Sequence, residues 1–399
     1  MKNPPPPPGR PPAPQGDSGE VIRLLDDLVK RAAAARASDI HIEPKEDRVR
    51  IRYRVDGVMM EQGILSVAHA APLVSRIKVL ARMDIAERRN PQDGNFQVNL
   101  GMGRLVSVRA STFPCYDGEK TVLRLLEAGT VMPLAALGML PEQVTQMQRL
   151  ATRTSGLVIV TGPTGAGKTS TLYALLAQMD TSRHNVVTLE DPIEVQMPEI
   201  TQGQVHAKAG FTFASGLRAI LRQDPDVILV GEMRDQETAS IALQASLTGH
   251  LVLTTLHTNS TVETITRLID IGLEPYVVAN ALTAIVAQRL VRQVCPCAEV
   301  YSLDRDITGE LGFAVPLASH LQRAKGCPNC QRSGYKGRLA IYEVVEVDDR
   351  LRMAIKAQAA SALVKAILAQ MGVQTLRRTG VGMALAGKTT LEEVLRVTQ

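Results

Sequence analysis

Apolar positions change their period along this chain, and each period predicts a different element. Val21, Ile22, Leu24, Leu25, Leu28 and Val29 recur at helical spacing and predict a helix beginning near Glu20. Ile40 and Ile42 indicate a strand. From Arg48 to Val55 the alternation is strict, with Val49, Ile51, Tyr53 and Val55 on one face and arginines on the other. Asp56-Gly57 then supplies a hairpin turn into Val58–Glu61. Helical spacing returns over Pro72–Met83, and strands are predicted at Phe96–Leu100, Leu105–Ser111 and Thr121–Leu126. A helix over Pro141–Leu150 carries its proline in the first turn. Beyond it, short apolar runs at 157–161, 186–190, 227–230 and 251–256 alternate with helical segments, the signature of a mainly parallel sheet.

These shifts predict an α/β protein of several parts. Residues 1–19 hold Pro4 to Pro8, Pro11, Pro12 and Pro14 and are expected to form a disordered or polyproline-like tail. A small α/β domain is expected over 20–127, a linker and helix over 128–150, and a parallel α/β core over 151–290. A cysteine-bearing subdomain follows over 291–340 and a helical region over 341–399.

Composition narrows this little. A 45% hydrophobic content with 45 basic against 40 acidic residues describes an ordinary soluble chain, and a net charge of +5 gives no strong bias towards nucleic acid. With no Trp and 5 Phe the cores must be aliphatic, and a base-stacking groove for nucleic acid has few side chains to draw on. No apolar run approaches the ~20 residues that span a bilayer. The proline-rich start is no signal peptide either, so the chain is expected in the cytosol, reaching a membrane only through its surface or a partner. Of 5 cysteines, four form the close pairs Cys295/Cys297 and Cys327/Cys330, and Cys115 reads as a small core residue.

The chemistry begins at Gly156. The apolar run from there to Thr161 breaks into Gly162-Pro163-Thr164-Gly165-Ala166-Gly167-Lys168-Thr169, which fits G-x-x-x-x-G-K-[ST] after a strand. Small residues let backbone N–H groups turn onto a polyphosphate, and a helix expected over Ser170–Met179 points its positive end at the same anion. Lys168 would reach the β- and γ-phosphates, and the Thr169 hydroxyl would ligate Mg²⁺. A second match at Gly382–Thr389 has no strand before it. Met383 to Ala386 are helix formers, and Thr390 with Glu393 reads as a capping box opening a helix over Leu391–Val397.

Two strands of the core end in carboxylates. Val227–Glu232 places an acid where it would orient or deprotonate the attacking water, with Gly231 standing where a magnesium-side Asp is usual. Thr188–Glu194 offers Glu190 and Glu194 to magnesium, water or both. Arg218 and Arg222 share a helical face, and Arg109 and Arg124 lie in strands of the N-terminal domain. His250 and His257 bracket strand 251–256, so only one can approach the phosphates, and His257 at the C-terminal end is the expected γ-phosphate sensor.

In this order the motifs resemble the ATPases of type II secretion and type IV pilus assembly, from about residue 20 to the C-terminus. The resemblance is carried by Ser38-Asp-Ile-His-Ile-Glu-Pro44, Tyr53-Arg-Val-Asp-Gly57, Asn90-Pro-Gln-Asp-Gly94 and the phosphate loop. It continues through Thr188–Glu194, Leu221-Arg-Gln-Asp-Pro-Asp226, Gly231-Glu-Met-Arg-Asp235, Gly249–Asn259 and Gly334–Glu343. It implies a RecA-like core with a PAS-like N-terminal domain, assembled as a homo-hexamer with ATP between the two domains. Arg109, Arg124, Arg218 and Arg222 would approach the phosphates, Glu232 would be the catalytic glutamate, and Gly231 is normal. The implied partners are an inner-membrane platform protein and its cytoplasmic adaptor, with peripheral membrane association and no direct nucleic acid. Ring movements would drive the addition of pilin-like subunits. Pilus retraction and conjugative-transfer ATPases fit the N-terminal and cysteine strings less well. Cys327-Pro-Asn-Cys330 is a zinc half-site by spacing. Its expected partner is a second C-x-x-C, and Cys295-Pro-Cys297 is one residue short of that. No folded domain is expected before residue 20, unlike in the larger members of the group.

Overall fold

A computed structural model describes residues 18–101, 104–127 and 131–399. The chain divides into two compact units, Met1–Ala128 and Gly129–Gln399. Most of the expected proline-rich tail, and residues 128–130 of the expected linker, lie outside the described residues.

The first unit is one antiparallel sheet of six strands with helices α1 (Ser18–Ala34) and α2 (Ala70–Leu80). Its strands are β1 (Ala37–Pro44), β2 (Arg48–Val55), β3 (Val58–Ser66), β4 (Gln92–Asn99), β5 (Leu105–Cys115) and β6 (Gly118–Glu127), in the order β3-β2-β1-β6-β5-β4. The alternation read in β2 holds: Val49, Ile51, Tyr53 and Val55 are buried with Leu25, Leu28, Leu73 and Ile77. The Tyr53 hydroxyl donates to the carbonyl of Leu28 at 2.9 Å. Helix α2 stops earlier than its apolar pattern, because the chain turns through a left-handed residue at Arg82 (φ 56°).

The other face of this sheet is charged. In one row across it, Arg54 and Arg124 both stand opposite Asp39, and Arg109 stands opposite Arg124. Arg124 Nε donates to Asp39 Oδ1 at 2.8 Å. Glu43 is ringed by Arg50, Arg52 and Lys120 at 2.9, 2.6 and 3.1 Å. Burial alone would raise the Glu43 carboxyl, but these three cations hold it at about 2. Cys115 departs from its reading as a core residue. It is exposed at the end of β5, opposite Gly118 across the hairpin, where the turn carries it out to solvent.

In the second unit, helix α3 (Pro141–Ala151) precedes a seven-stranded sheet. Its strands and helices follow in the order β7 (Gly156–Thr161), α4 (Lys168–Leu176), β8 (Val186–Glu190), β9 (Thr201–Gln204), α5 (Phe213–Ile220), β10 (Val227–Val230), α6 (Gln236–Leu247), β11 (Leu251–Leu256), α7 (Thr261–Asp270), α8 (Pro275–Ala281) and β12 (Leu282–Val294). A two-stranded ribbon of β13 (Glu299–Ser302) and β14 (His320–Arg323) surrounds the short α9 (Thr308–Leu311). Then come β15 (Tyr335–Glu346) and the helices α10 (Asp349–Lys356), α11 (Ser361–Gln370), α12 (Leu376–Leu385) and α13 (Leu391–Val397).

The sheet order is β15-β12-β7-β11-β10-β8-β9, parallel throughout except for the antiparallel pair of β15 with β12. Because successive strand residues face opposite sides, each apolar run feeds two cores. Leu157 and Ile159 join Leu217, Leu243 and Leu268 on one side; Val158 and Val160 join Met147, Leu172 and Leu176 on the other. Helix α4 begins at Lys168, two residues before the expected Ser170, and ends at Leu176.

The second loop match, Gly382–Thr389, falls on the end of α12 and the turn into α13. Thr390 caps α13 through an N–H bond from Glu393 at 3.2 Å. The other half of the expected capping box is not how Glu393 is used. Its fully buried carboxylate instead accepts from the Arg292 backbone N–H at 3.0 Å, from Arg292 Nη2 at 2.8 Å and from Arg396 Nε at 2.8 Å. Two charged donors outbid a single backbone amide. Among the described residues no helix is long and apolar enough to cross a membrane.

Candidate active site

Strand β7 sits between β12 and β11, and the loop after it leaves the sheet at the C-terminal edge of the parallel strands. Ligands of open α/β sheets bind at that edge. Gly165 and Gly167 have φ of 77° and 85°, a left-handed backbone that side chains disfavour, so the loop can curl and still enter α4 directly. Behind it, Thr161 Oγ1 bonds the carbonyl of Thr258 at 3.0 Å and lies 2.6 Å from Thr258 Oγ1, which meets Thr264 Oγ1 at 2.7 Å. These threonines fasten the end of β7 to the segment after β11.

Lys168, His257 and Glu232 come together at this edge. Lys168 Nζ donates to the carbonyls of Gly162 and Pro163 at 2.8 and 3.2 Å and lies 3.4 Å from His257 Nδ1. His257 Nε2 lies 3.4 Å from Glu232 Oε2, and Arg234 Nη2 lies 2.5 Å from Glu232 Oε1. Burial lowers the Lys168 ammonium to about 8, with Arg289 pushing the same way and Glu232 and Glu194 opposing. Thr169 is half-exposed, while Pro163, Thr164 and Gly165 in the loop and Ser170 in α4 are exposed.

The other expected residues have different surroundings. Glu190 is buried at the end of β8. Its carboxylate accepts from the Tyr173 hydroxyl, from Thr188 Oγ1 at 2.6 Å and from Gln202 Nε2 at 3.2 Å. Arg218 pairs with Glu237 at 2.5 Å, and Arg222 donates to the Arg218 carbonyl at 2.8 Å, closing the end of α5. His250, at the far end of β11, lies 3.0 Å from the carbonyl of Ala245. Arg109 and Arg124 are exposed neighbours on the charged face of the first unit. Arg234, Tyr173 and Arg289 also act on these groups and are not among the residues expected from sequence. Arg234 carried the best signal, two residues beyond the acid that ends β10.

The cysteines form a second constellation. All four Sγ atoms lie within 4.8 Å of one another. Cys295–Cys327, Cys297–Cys330 and Cys327–Cys330 are separated by 3.9, 3.9 and 3.7 Å. A tetrahedron with metal–sulfur bonds of about 2.3 Å has edges of roughly 3.8 Å, so this donor set fits one thiophilic ion. The shortened Cys295-Pro-Cys297 pair still converges, because the Cys295 N–H is tied to the Gly334 carbonyl at 2.9 Å. Around Cys330 the chain turns through left-handed Gln331 and Arg332, and Cys330 Sγ accepts N–H bonds from Cys327 and Gly334 at 3.1 and 3.2 Å. Burial would raise the Cys330 thiol, yet these donors draw it down to about 6.

A phosphate loop on a central strand, with an acid and a histidine at the ends of neighbouring parallel strands, defines a P-loop ATPase of the α/β class. Residues 14–396 match the model of the Type II/IV secretion system protein family, and the chain belongs to that family. It is 49% identical over 387 residues to the type II secretion system protein E of Klebsiella pneumoniae, covering 96% of this chain and 77% of that protein. It is 41% identical to the type IV pilus assembly ATPase TfpB of Acinetobacter baylyi, covering 96% of this chain and 66% of that one. Among solved structures it resembles the pilus retraction motor PilT, with a TM-score of 0.63 and 27% identity over 94% of this chain and 96% of that one. The chain is therefore an ATP hydrolase of the secretion ATPase family.

Proposed function

We propose that this chain is the motor subunit of a type II secretion or type IV pilus assembly machine, working as a cytoplasmic homo-hexamer at the inner membrane. The observation that carries the reading is the contact series from Lys168 through His257 to Glu232 beside the phosphate loop. The β- and γ-phosphates take the Lys168 ammonium from the loop carbonyls it now holds, and the backbone N–H groups of Gly165 to Ser170 share the remaining charge. Magnesium, when bound, neutralises charge on the phosphate oxygens, and the half-exposed Thr169 hydroxyl would hold it. Glu232 orients the attacking water and accepts its proton, while His257, between base and lysine, reads whether the γ-phosphate is present. Glu190 acts by fixing the 188–194 segment through Tyr173 rather than by touching the nucleotide. Roles for Arg109, Arg124, Arg218 and Arg222 as further phosphate ligands rest on the family resemblance, as does the PAS-like character of the first unit.

The four cysteines would hold zinc in a structural role, since four sulfurs leave no open coordination position. The greater identity to the secretion protein than to the pilus ATPase favours a secretion system. The partners on this reading are a membrane platform protein and its cytoplasmic adaptor. Purification of the tagged chain from its own cells with the membrane fraction tests this. Pilin-like and platform proteins should accompany it, and their absence alongside full ATP turnover would overturn the assignment to such a machine.

A further inference from the structure

Strand β12 runs beside β7, and one of its side chains reaches the phosphate loop from beneath. Gln288 is 1% exposed in a run that includes Ile285, Val286, Ala287 and Val291, all fully buried. An amide in such surroundings is costly unless both its ends are bonded. Both are. Nε2 donates to the Ala166 carbonyl at 2.7 Å, and Oε1 accepts from Thr171 Oγ1 at 2.8 Å. The loop is moulded on the same residue. A Cβ at Gly162 would lie 2.5 Å from the Gln288 carbonyl oxygen, and one at Gly167 would lie 3.0 Å from Nε2. Gly162 is thus closed to a side chain on its inner side, and at Gly167 the Gln288 amide would have to give way.

The bond to Ala166 fixes more than one oxygen. The Ala166–Gly167 peptide is planar and trans, so its N–H points opposite to its carbonyl. With the carbonyl held down on Gln288, the Gly167 N–H must face up into the hollow of the loop. We propose that Gln288 is a positioning residue for ATP hydrolysis, setting this peptide so that the Gly167 N–H is aimed at the bound phosphates before nucleotide arrives.

The test uses the full chain and ADP binding. Gln288→Glu keeps an acceptor for Thr171 but removes the donor to Ala166, and should weaken ADP binding about tenfold and raise the KM for ATP in step, with kcat changed much less. Thr171→Val removes the other bond, leaves the Ala166 contact, and should bind ADP within about threefold of the parent. A purely structural role would lower the nucleotide-free melting temperature in both variants and move their affinities equally. Gln288→Met, apolar and of similar length, serves if the glutamate variant does not fold, and should show the same affinity loss. ADP binding by either Gln288 variant within about twofold of the parent overturns the proposal.

Discussion

Lys168 holds its ammonium 3.4 Å from Nδ1 of His257, so the lysine of the phosphate loop and the histidine at the end of β11 form one contact. His257 also reaches Glu232 at 3.4 Å, so if Glu232 is the base proposed above, a change at the phosphates would reach it through a single side chain. Replacing Glu232 isolates its part. Glu232→Gln should lower kcat by about 10²-fold or more while ADP affinity stays within about threefold. Steady-state turnover and ADP titration check the two halves separately.

Burial lowers Lys168 to about 8, below the ordinary lysine value. The free protein therefore begins to lose this proton as pH rises through 8, whereas an adjacent polyphosphate would restore it. Nucleotide binding at pH 8.5 should take up protons and weaken as pH rises further. Calorimetry in two buffers of different ionisation enthalpy would reveal the uptake, and Lys168→Met should abolish it. The same shift bears on stability: the unfolded chain holds this proton more tightly, so the cost of burying Lys168 is fully present below about 8 and is relieved as pH rises towards the ordinary lysine range.

Two lysines occupy loops of matching pattern, and only Lys168 follows a strand. Lys388 is exposed in the turn between α12 and α13. Lys168→Ala should abolish measurable ATP turnover, while Lys388→Ala should leave turnover and ADP affinity unchanged.

Glu393 has a fully buried side chain between Arg292 and Arg396. Removing it leaves Arg292 without its carboxylate, and Glu393→Ala should cost about 3–5 kcal/mol of stability in a denaturant titration. Burial by itself would raise the Glu393 carboxyl, but the two arginines hold it below the ordinary glutamate value. Its stabilising effect is therefore complete above that ordinary value and is lost as pH falls through the depressed one.

Metal analysis of the purified chain should find about one zinc per chain, and Cys297→Ser should lower that content and the melting temperature together. A chain that carries no metal at full stability would leave the four thiols as a reduced cluster only.

What could be read in advance was mostly local. The turn from β7 through the loop into α4 is written in consecutive residues, and the acid and histidine at the ends of β10 and β11 follow from apolar runs with a polar stop. The features that escaped depend on distant partners. Gln288 meets Ala166 across 122 positions, and Arg292 meets Glu393 across 101. A capping box is a local pattern, yet at Glu393 a long-range ion pair displaced half of it. Cys115 is exposed rather than in the core, and a lone cysteine carries no sign of which way its hairpin turns. Glu190 looks in sequence like any strand-end acid, and Tyr173 and Gln202, on other elements, hold it inwards.

Strand β12 places Gln288 under the phosphate loop, Arg292 against Glu393 and, just past its end, Cys295 among the thiols. Side chains alternate along a strand, so losing one residue between Gln288 and Arg292 would turn the arginine to the opposite face. Losing two would restore the face but shift it by about 6.7 Å. The interval from Gln288 to Arg292 is thus a fixed length, like a ruler joining phosphate loop and C-terminal helix, and the shift in register between Arg292 and Val294 sets the further reach to Cys295. Any transplant of the cysteine element into a related motor would have to carry the whole stretch from Gln288 to Cys295 without insertion or deletion.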